Sequence, residues 1–483
     1  MPVWSVFWRE VVGAAMNGRV RLILLATVIV GIVGGTVNAQ DYRDRQAQFN
    51  TRVNQLREAL AHGNLMAVFV GDPGLRALRP PEPGSLLARG LDQSTPTWWA
   101  FDPAGPVEGP PDPSLTADLQ AGAVIDLEGL VRIFLSLLAL VLGFEAVAGD
   151  RARGVLLAML NQPIGHRAVL TGKLLAGAAI LAVAIFVAAA TLLAATTMVS
   201  PGAIDRSVLR LVPALGATGL VYLVALLAGA MFIGSVVRDQ AVSGVTIAAV
   251  WTYVALIGPQ VTTFGSRALV AIPSRPLLEI ERQRSFDARF EAMERSVGRA
   301  YRAAIGTASL GARPTPTPDA AGIAALGGQW RAEAKTTRQI VAAFDERSTN
   351  LEHARSRVRS WLMWASPGSL LFEAIADLAN TGTRAQDRWR DAIWAHQEYL
   401  NRVFFDNPPR IPLYVPGDLG IGVASENVKL HNDVRARDLE PFDATRPSWS
   451  LRLRESLPAL AGLVGYLVAC VGLTSLRFPR TGV

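Results

Sequence analysis

Six long apolar runs divide this 483-residue chain. A membrane-spanning helix needs about 20 mainly apolar residues, and each run is close to or above that length. We therefore predict six transmembrane helices, at residues 20–37, 130–148, 169–199, 208–237, 241–262 and 457–476. Arg132 lies near the start of the second run, where its long side chain can reach the bilayer surface. Pro213 lies near the start of the fourth.

Residues 1–17 carry an amphipathic pattern of their own. One helical side holds Trp4, Phe7, Trp8, Val11, Val12 and Ala15, and the opposite side holds Arg9 and Glu10. This is the pattern of an interfacial helix that lies in the membrane surface. A simple extension of the first span is the alternative, but Asn17-Gly18-Arg19 interrupts the run.

Two long segments separate the spans, residues 38–129 and 263–456. The first begins with apolar residues at helical spacing (Tyr42, Phe49, Val53, Leu56 and Leu60), so we expect the first span to continue outward as a helix. Its middle is rich in proline (RPPEPG, EGPPDP), which favours loop or extended chain.

The second segment shows three helical stripes. They are Phe286, Phe290, Met293, Val297 and Tyr301; Phe344, Leu351, Val358 and Trp361; and Trp389, Ile393, Leu400 and Phe404. Residues 311–328 are predicted to be a loop, and NPPRIPLYVPGDLG after Asp406 is predicted to be extended chain. We predict a mainly helical domain over residues 263–456. The fold class is therefore an all-α polytopic membrane protein with six transmembrane helices, an interfacial helix and a helical domain outside the membrane.

Arginine and lysine in the short loops set the expected orientation, because such loops stay on the cytoplasmic side. If six spans alternate, the basic residues before the first span, in the loop 149–168 and after the sixth span share one side. We predict that both termini and this loop are cytoplasmic, in a bacterial inner membrane. Residues 38–129 and 263–456 are then extracytoplasmic.

Composition agrees with a membrane location. Half of the residues are hydrophobic and 18% are charged, against about 25% in soluble domains. The net charge is +7, but the arginines are spread among acids with no dense basic run, so no nucleic-acid partner is expected. The single cysteine, Cys470, excludes an intrachain disulfide and paired-cysteine metal or redox motifs.

The stretch FEAVAGDRARGVLLAMLNQPIGHRAVLTGKLLAG, residues 144–177, joins the second and third spans. It resembles the corresponding segment of ABC-2 type transporter permeases. The resemblance rests on an acid, a glycine, a short apolar helix, a proline and a Gly-Lys pair, which here are Glu145, Gly154, Val155–Leu160, Pro163 and Gly172-Lys173. It is closest to the NosY-like branch with a large extracytoplasmic insert before the last helix, where SPGSLLFEAIADLANTG (366–382) has a similar counterpart.

The resemblance implies a permease subunit of an exporter, driven by a separate ATPase. The sequence contains no G-x-x-x-x-G-K-[ST] motif, so ATP would be bound by the partner and this chain would hold no cofactor. Residues 155–160 would be a coupling helix that docks on the ATPase. The residues implied in docking are Glu145, Arg151, Arg153, Leu156, Leu157, Leu160 and Arg167. The alternative is a topological loop whose apolar patch lies on the membrane. Glu145 could face the bundle or the ATPase.

The sequence gives little support for catalysis, metal binding or ion-coupled transport. The sequence lacks H-E-x-x-H and G-x-S-x-G, and its five histidines show no pair at helical spacing, so we expect neither a catalytic nor a metal site. No charge lies mid-span in the third to sixth helices, which argues against an ion-coupled carrier. The resemblance implies a second permease subunit, identical or related. A device that transmits ATP-driven motion to an extracytoplasmic protein, without moving a substrate, is the alternative function.

Overall fold

A computed structural model describes residues 2–62, 75–92, 95–101, 106–109, 126–160, 165–271, 275–305, 320–406, 438–444 and 446–478. In these ranges six helices are long and apolar enough to cross a membrane. The prediction of an all-α polytopic membrane protein is therefore confirmed. The segments predicted as extended chain after Asp406 and as loop over residues 311–319 lie outside the described ranges.

The helices are α1 (Pro2–Met16), α2 (Gly18–His62), α3 (Leu127–Ala152), α4 (Val155–Leu160), α5 (His166–Val199), α6 (Arg206–Val236), α7 (Gln240–Leu269), α8 (Arg275–Ile305), α9 (Ala320–Leu362), α10 (Pro367–Ala379), α11 (Thr383–Asp406) and α12 (Trp449–Arg477). The six candidate spans are α2, α3, α5, α6, α7 and α12. Residues 320–328 are the first turns of α9, so the predicted loop is wrong over that part because alanine-rich sequence continues the helix there.

The first two helices are separate, as their sequence predicts. Asn17 accepts the backbone N–H of Arg19 through its Oδ1 at 3.0 Å, which is a helix-capping contact at the start of α2. Beyond it α2 runs without a break for 45 residues, so the helix of the first span does continue past its apolar run. The division between the two helices lets α1 pack across α5 instead of extending α2.

A small antiparallel sheet follows α2, where loop or extended chain was predicted. Its strands are β1 (Leu75–Leu78), β2 (Trp98–Phe101) and β3 (Val107–Glu108), in that order. Leu75 pairs with Phe101 and Ala77 with Trp99, and these four side chains are buried. Alternating apolar residues on two short runs thus form a half-buried sheet between the prolines.

The spans pack around α6, which contacts α3, α5 and α12. Its residues Tyr222, Leu223 and Met231 are buried. Gly143 of α3 allows one close approach, because a Cβ there would lie 2.6 Å from the carbonyl oxygen of Leu227. The bundle has two ends: we call the one with α1 and α4 the loop end, and the one with α8 to α11 the insert end.

The insert end is joined to the spans by a buried apolar helix, α10, that lies against α6 and α12. It begins with Ser366, whose Oγ accepts the backbone N–H of Gly368, and it ends at Asn380 in the left-handed region at φ 61°. Gly368 sits so close to α7 that a Cβ there would meet the carbonyl oxygen of Val254. The helices α8 and α9 pack on each other, and α9 also contacts α7.

Candidate coupling site

The short helix α4 is held between the ends of α3 and α5 by a sharp turn. α3 ends at Ala152, and Gly154 then adopts φ 72° before α4 begins at Val155. Glycine enters this left-handed region at little cost, whereas most side chains would be strained there. The backbone of α4 covers Val155–Leu160, as the sequence predicts. Pro163 lies outside the described residues.

Only part of the predicted apolar knob is available on α4. Leu156 is 2% exposed and belongs to the core of this chain, together with Met159. The expectation that Leu156 faces a partner is therefore corrected: its side chain packs α4 against the rest of this chain. Ala158 is exposed. The side chains of Leu157 and Leu160 lie outside the described part of the structure, so their role stays a prediction.

Glu145 pairs with two cations of its own chain. Its Oε2 lies 2.9 Å from Arg153 and its Oε1 lies 3.3 Å from Arg19. It thus connects α2, the end of α3 and the turn before α4. Arg151 does not share this cluster: it donates to the carbonyl oxygen of Val237, just after α6, at 3.1 Å. Arg167 is exposed at the first turn of α5.

A second, more buried ion cluster lies beside the first. Lys173 Nζ lies 2.6 Å from Asp150 Oδ2 and 2.7 Å from Glu10 Oε1, and the lysine side chain is completely buried. Arg153 also reaches Asp150, at 3.0 Å. Because a buried ammonium is tolerated only when it is paired, Lys173 needs both acids to remain in place. Lys173 belongs to the Gly-Lys pair of the sequence motif, but local sequence does not reveal that its partner is Glu10, 163 residues away.

The glycine of the Gly-Lys pair has a separate structural role. A Cβ on Gly172 would lie 2.8 Å from Val6 Cβ and 3.0 Å from the carbonyl oxygen of Val3. Glycine is therefore required for α1 to contact α5 at this point. The two residues of the pair attach the same helix: Gly172 by close packing and Lys173 by its ion pair with Glu10.

The opposite end of α3 carries a polar link to α7. Arg132 Nε bonds Glu128 at 2.6 Å, and its NH1 donates to the carbonyl oxygen of Ala255 at 2.5 Å. Ala255 lies in a π-helical turn, residues 252–257, where backbone carbonyls lose their usual helical partners. Ser366 donates to the neighbouring carbonyl of Val254 at 3.2 Å. Arg132 therefore connects α3 to α7 rather than simply reaching for the bilayer surface.

Histidines and acids at the insert end form no metal site within the described ranges. His396 instead lies among aromatic rings, with centroid distances of 5.1 Å to Phe101 and 5.4 Å to Phe442. Burial lowers the pKa of His396 to about 4. A neutral imidazole among aromatic rings contributes to the packing of the insert end.

Comparison with protein families gives one match over nearly the whole chain. The family model described as ABC-2 family transporter protein matches residues 4–483. Comparison with curated proteins gave no match. The matched range includes all but the first two residues of α1, the six candidate spans, the loop with α4 and helices α8 to α11.

Proposed function

The chain belongs to the ABC-2 family of transporter proteins and is a multi-pass permease subunit of that family, and we propose that it exports a substrate using a separate ATPase that docks on residues 149–168. ATP is bound and hydrolysed by that partner. The finer assignment, to the NosY-like branch with an extracytoplasmic insert, is part of the same proposal. So is the orientation in the bacterial inner membrane, with the loop end cytoplasmic.

One observation carries the docking proposal: α4 is fixed by the permease on one face and exposed on another. Leu156 and Met159 are buried in the chain's own core, while Ala158 between them is exposed. An α-helix turns about 100° per residue, and we propose that Leu157, one residue before the exposed Ala158, belongs to the docking face. A helix anchored in this way can transmit a displacement of the ATPase to the membrane spans, whereas a mobile loop would change its own conformation instead.

Basic side chains surround α4 and suit an acidic surface on the partner. Arg153 is 56% exposed in spite of its ion pairs, and Arg167 is exposed as well. Rim charges of this kind act mainly on association rate and salt dependence. Arg153→Ala should therefore weaken docking moderately and make it less sensitive to salt.

The helix α3 offers a route from the docking site to the insert end. It carries Asp150 at the loop end and Arg132 at the other. Arg132 bonds Ala255 in the π-helical turn of α7, and the preceding carbonyl in that turn, of Val254, accepts from Ser366 at the start of α10. We propose that a displacement of the loop end moves α3 and, through Arg132, changes the contact between α7 and α10.

Two such permeases, identical or related, would enclose the substrate path with two ATPases. The absence of mid-span charges in the third to sixth spans of the sequence fits an apolar or bulky substrate better than an ion. The connection to α10 would also serve a protein that only moves its insert against an extracytoplasmic partner. Proteoliposomes separate the two functions: transport requires ATP-dependent accumulation, while transmission changes the insert without accumulation.

Co-purification tests the docking proposal. The permease and its proposed ATPase partner are expressed together, and ATP hydrolysis is measured on the complex. Leu157→Glu places a charge in the proposed contact and should abolish both co-purification and stimulation. Ser475→Glu adds the same charge at an exposed position of α12 and should preserve them. Normal assembly of the Leu157→Glu variant would reject docking on α4.

A further inference from the structure

A cavity of about 310 Å³ opens at the loop end, between α1, α3 and α5. Its inner wall is apolar and comes from three spans: Val141 and Leu142 of α3, Ile180 of α5 and Leu227 of α6. Its outer wall is polar and includes Arg9, Asn17, Glu145, Asp150 and Arg153. A cavity with an apolar interior and a charged mouth suits an amphiphile rather than a simple ion.

The cations at the mouth keep hydrogen-bond donors for a ligand even though they pair with the acids beside them. Each of the three carboxylates, Glu10, Glu145 and Asp150, already has a lysine or arginine as partner. Guanidinium groups have five N–H donors each, so ion pairing does not exhaust them. Arg9 is 46% exposed and reaches Asp150 only at 4.0 Å, and Arg153 is 56% exposed.

Asn17 adds a neutral donor to the same mouth. Its Oδ1 is occupied by the Arg19 backbone N–H at 3.0 Å. The amide NH2 group of Asn17 can therefore donate to a ligand. Two guanidinium groups and one amide make a site for an anion with several acceptor oxygens, and phosphate has this chemistry.

The exposed side of α1 indicates where the anion comes from. Trp4, Trp8, Val12 and Met16 recur at every fourth residue, and their exposed fractions range from 52% to 72%. Trp4 and Phe7 stack at 4.8 Å on this helix. An apolar stripe rich in tryptophan is typical of a helix that lies among lipid headgroups. The cavity, on the other side of the same helix, then opens at headgroup depth.

We propose that this cavity binds an anionic phospholipid, with the phosphate at Arg9, Asn17 and Arg153 and the start of an acyl chain against the apolar wall. The lipid would bridge α1 and the turn before α4. The proposal goes beyond the docking of an ATPase, and lipid binding by the permease alone tests it independently.

Gly13 is a position where a substitution can alter the cavity without disturbing the backbone. It lines the cavity, and a Cβ built on it meets nothing within 4 Å. Gly13→Glu places a carboxylate in the cavity without a backbone clash, while Gly13→Ala adds only a methyl group to open space. The full-length chain in detergent is titrated with phosphatidylglycerol, phosphatidylcholine or inorganic phosphate, and bound lipid is counted by native mass spectrometry.

Wild type and Gly13→Ala should each retain one tightly bound phosphatidylglycerol, and Gly13→Glu should weaken that binding by about tenfold or more. Arg153→Gln should weaken it as well, while Arg477→Gln, an exposed arginine of α12 at the same end, should not. Equal phosphatidylglycerol binding by Gly13→Glu and Gly13→Ala would overturn the proposal. Displacement of the lipid by equimolar inorganic phosphate would also overturn it, since it would show a site for free phosphate.

Discussion

Lys173 Nζ lies 2.6 Å from Asp150 Oδ2, with the lysine side chain completely buried at the junction of α1, α3 and α5. This contact joins the end of the helix that leads into α4 to the start of the helix that follows it. Glu10 of α1 completes the cluster at 2.7 Å. The position of α4 therefore depends on a charge cluster inside the permease.

Lys173→Met should destabilise the permease by about 3 kcal/mol, because it leaves two acids without their buried cation. Asp150→Asn combined with Lys173→Met should recover part of that loss, since the double variant also removes the buried Asp150 charge, whose remaining close cation is the partly exposed Arg153. The free energy of unfolding in mixed detergent micelles measures both. Arg19→Gln, at an ion pair that is 70% exposed on the arginine side, should change it by about 0–1 kcal/mol. An equal decrease in the free energy of unfolding for Lys173→Met and Arg19→Gln would show that the buried ion pair contributes no more to stability than the exposed one.

Gly172→Ala should detach or shift α1. The added Cβ would come within 2.8 Å of Val6 Cβ and 3.0 Å of a backbone carbonyl of α1, so the backbone itself must move. Amide hydrogen exchange over residues 2–16 should become faster than in the wild type. Gly18→Ala is the matched control, because its Cβ meets nothing within 4 Å. Unchanged exchange in Gly172→Ala would contradict the close packing of α1 on α5.

Arg132→Met should separate ATP hydrolysis from transport. It removes the bond to Ala255 at 2.5 Å and leaves Glu128 without its cation, while the proposed docking site at the other end of α3 is untouched. A lost hydrogen bond to a charged group is worth about 1.5–3 kcal/mol, so transport should fall by at least about tenfold. Stimulated ATP hydrolysis should persist. Transport in proteoliposomes at the wild-type rate would exclude this route.

His396 should make the insert end less stable in acid. Burial among aromatic rings lowers its pKa to about 4, whereas an unfolded histidine titrates near 6.5. The unfolded state therefore binds the proton first, and stability is lost as pH falls from about 6.5 toward 4. His396→Phe keeps an aromatic ring and removes the proton site, so its stability should fall less over this range. Thermal unfolding followed from pH 7 to 4 compares the two, and parallel curves would contradict the assignment.

The sequence predicts the spans, the break after α1 and the short helix α4, because each depends on local period, length or a glycine. It does not predict which face of α4 is buried: VLLAML is apolar all round, and only the packing of Leu156 and Met159 decides. Arg132 is conspicuous in an apolar run, but its partner Ala255 is 123 residues away. The apolar pattern of α10 predicts a helix, whereas its burial against α6 and α12 depends on long-range packing.

The central claim is that α4 contacts an ATPase, and a site-directed cross-link tests it most directly. Cys470 is the only cysteine of the chain, so Cys470→Ser gives a cysteine-free background. Ala158→Cys then places one thiol at an exposed position of α4, and Ala321→Cys places one at an exposed position of the insert. A short bifunctional reagent applied to the co-purified complex should join the ATPase to residue 158 and not to residue 321. Cross-linking of the ATPase to residue 321 alone, or to neither residue in an intact complex, would contradict the account.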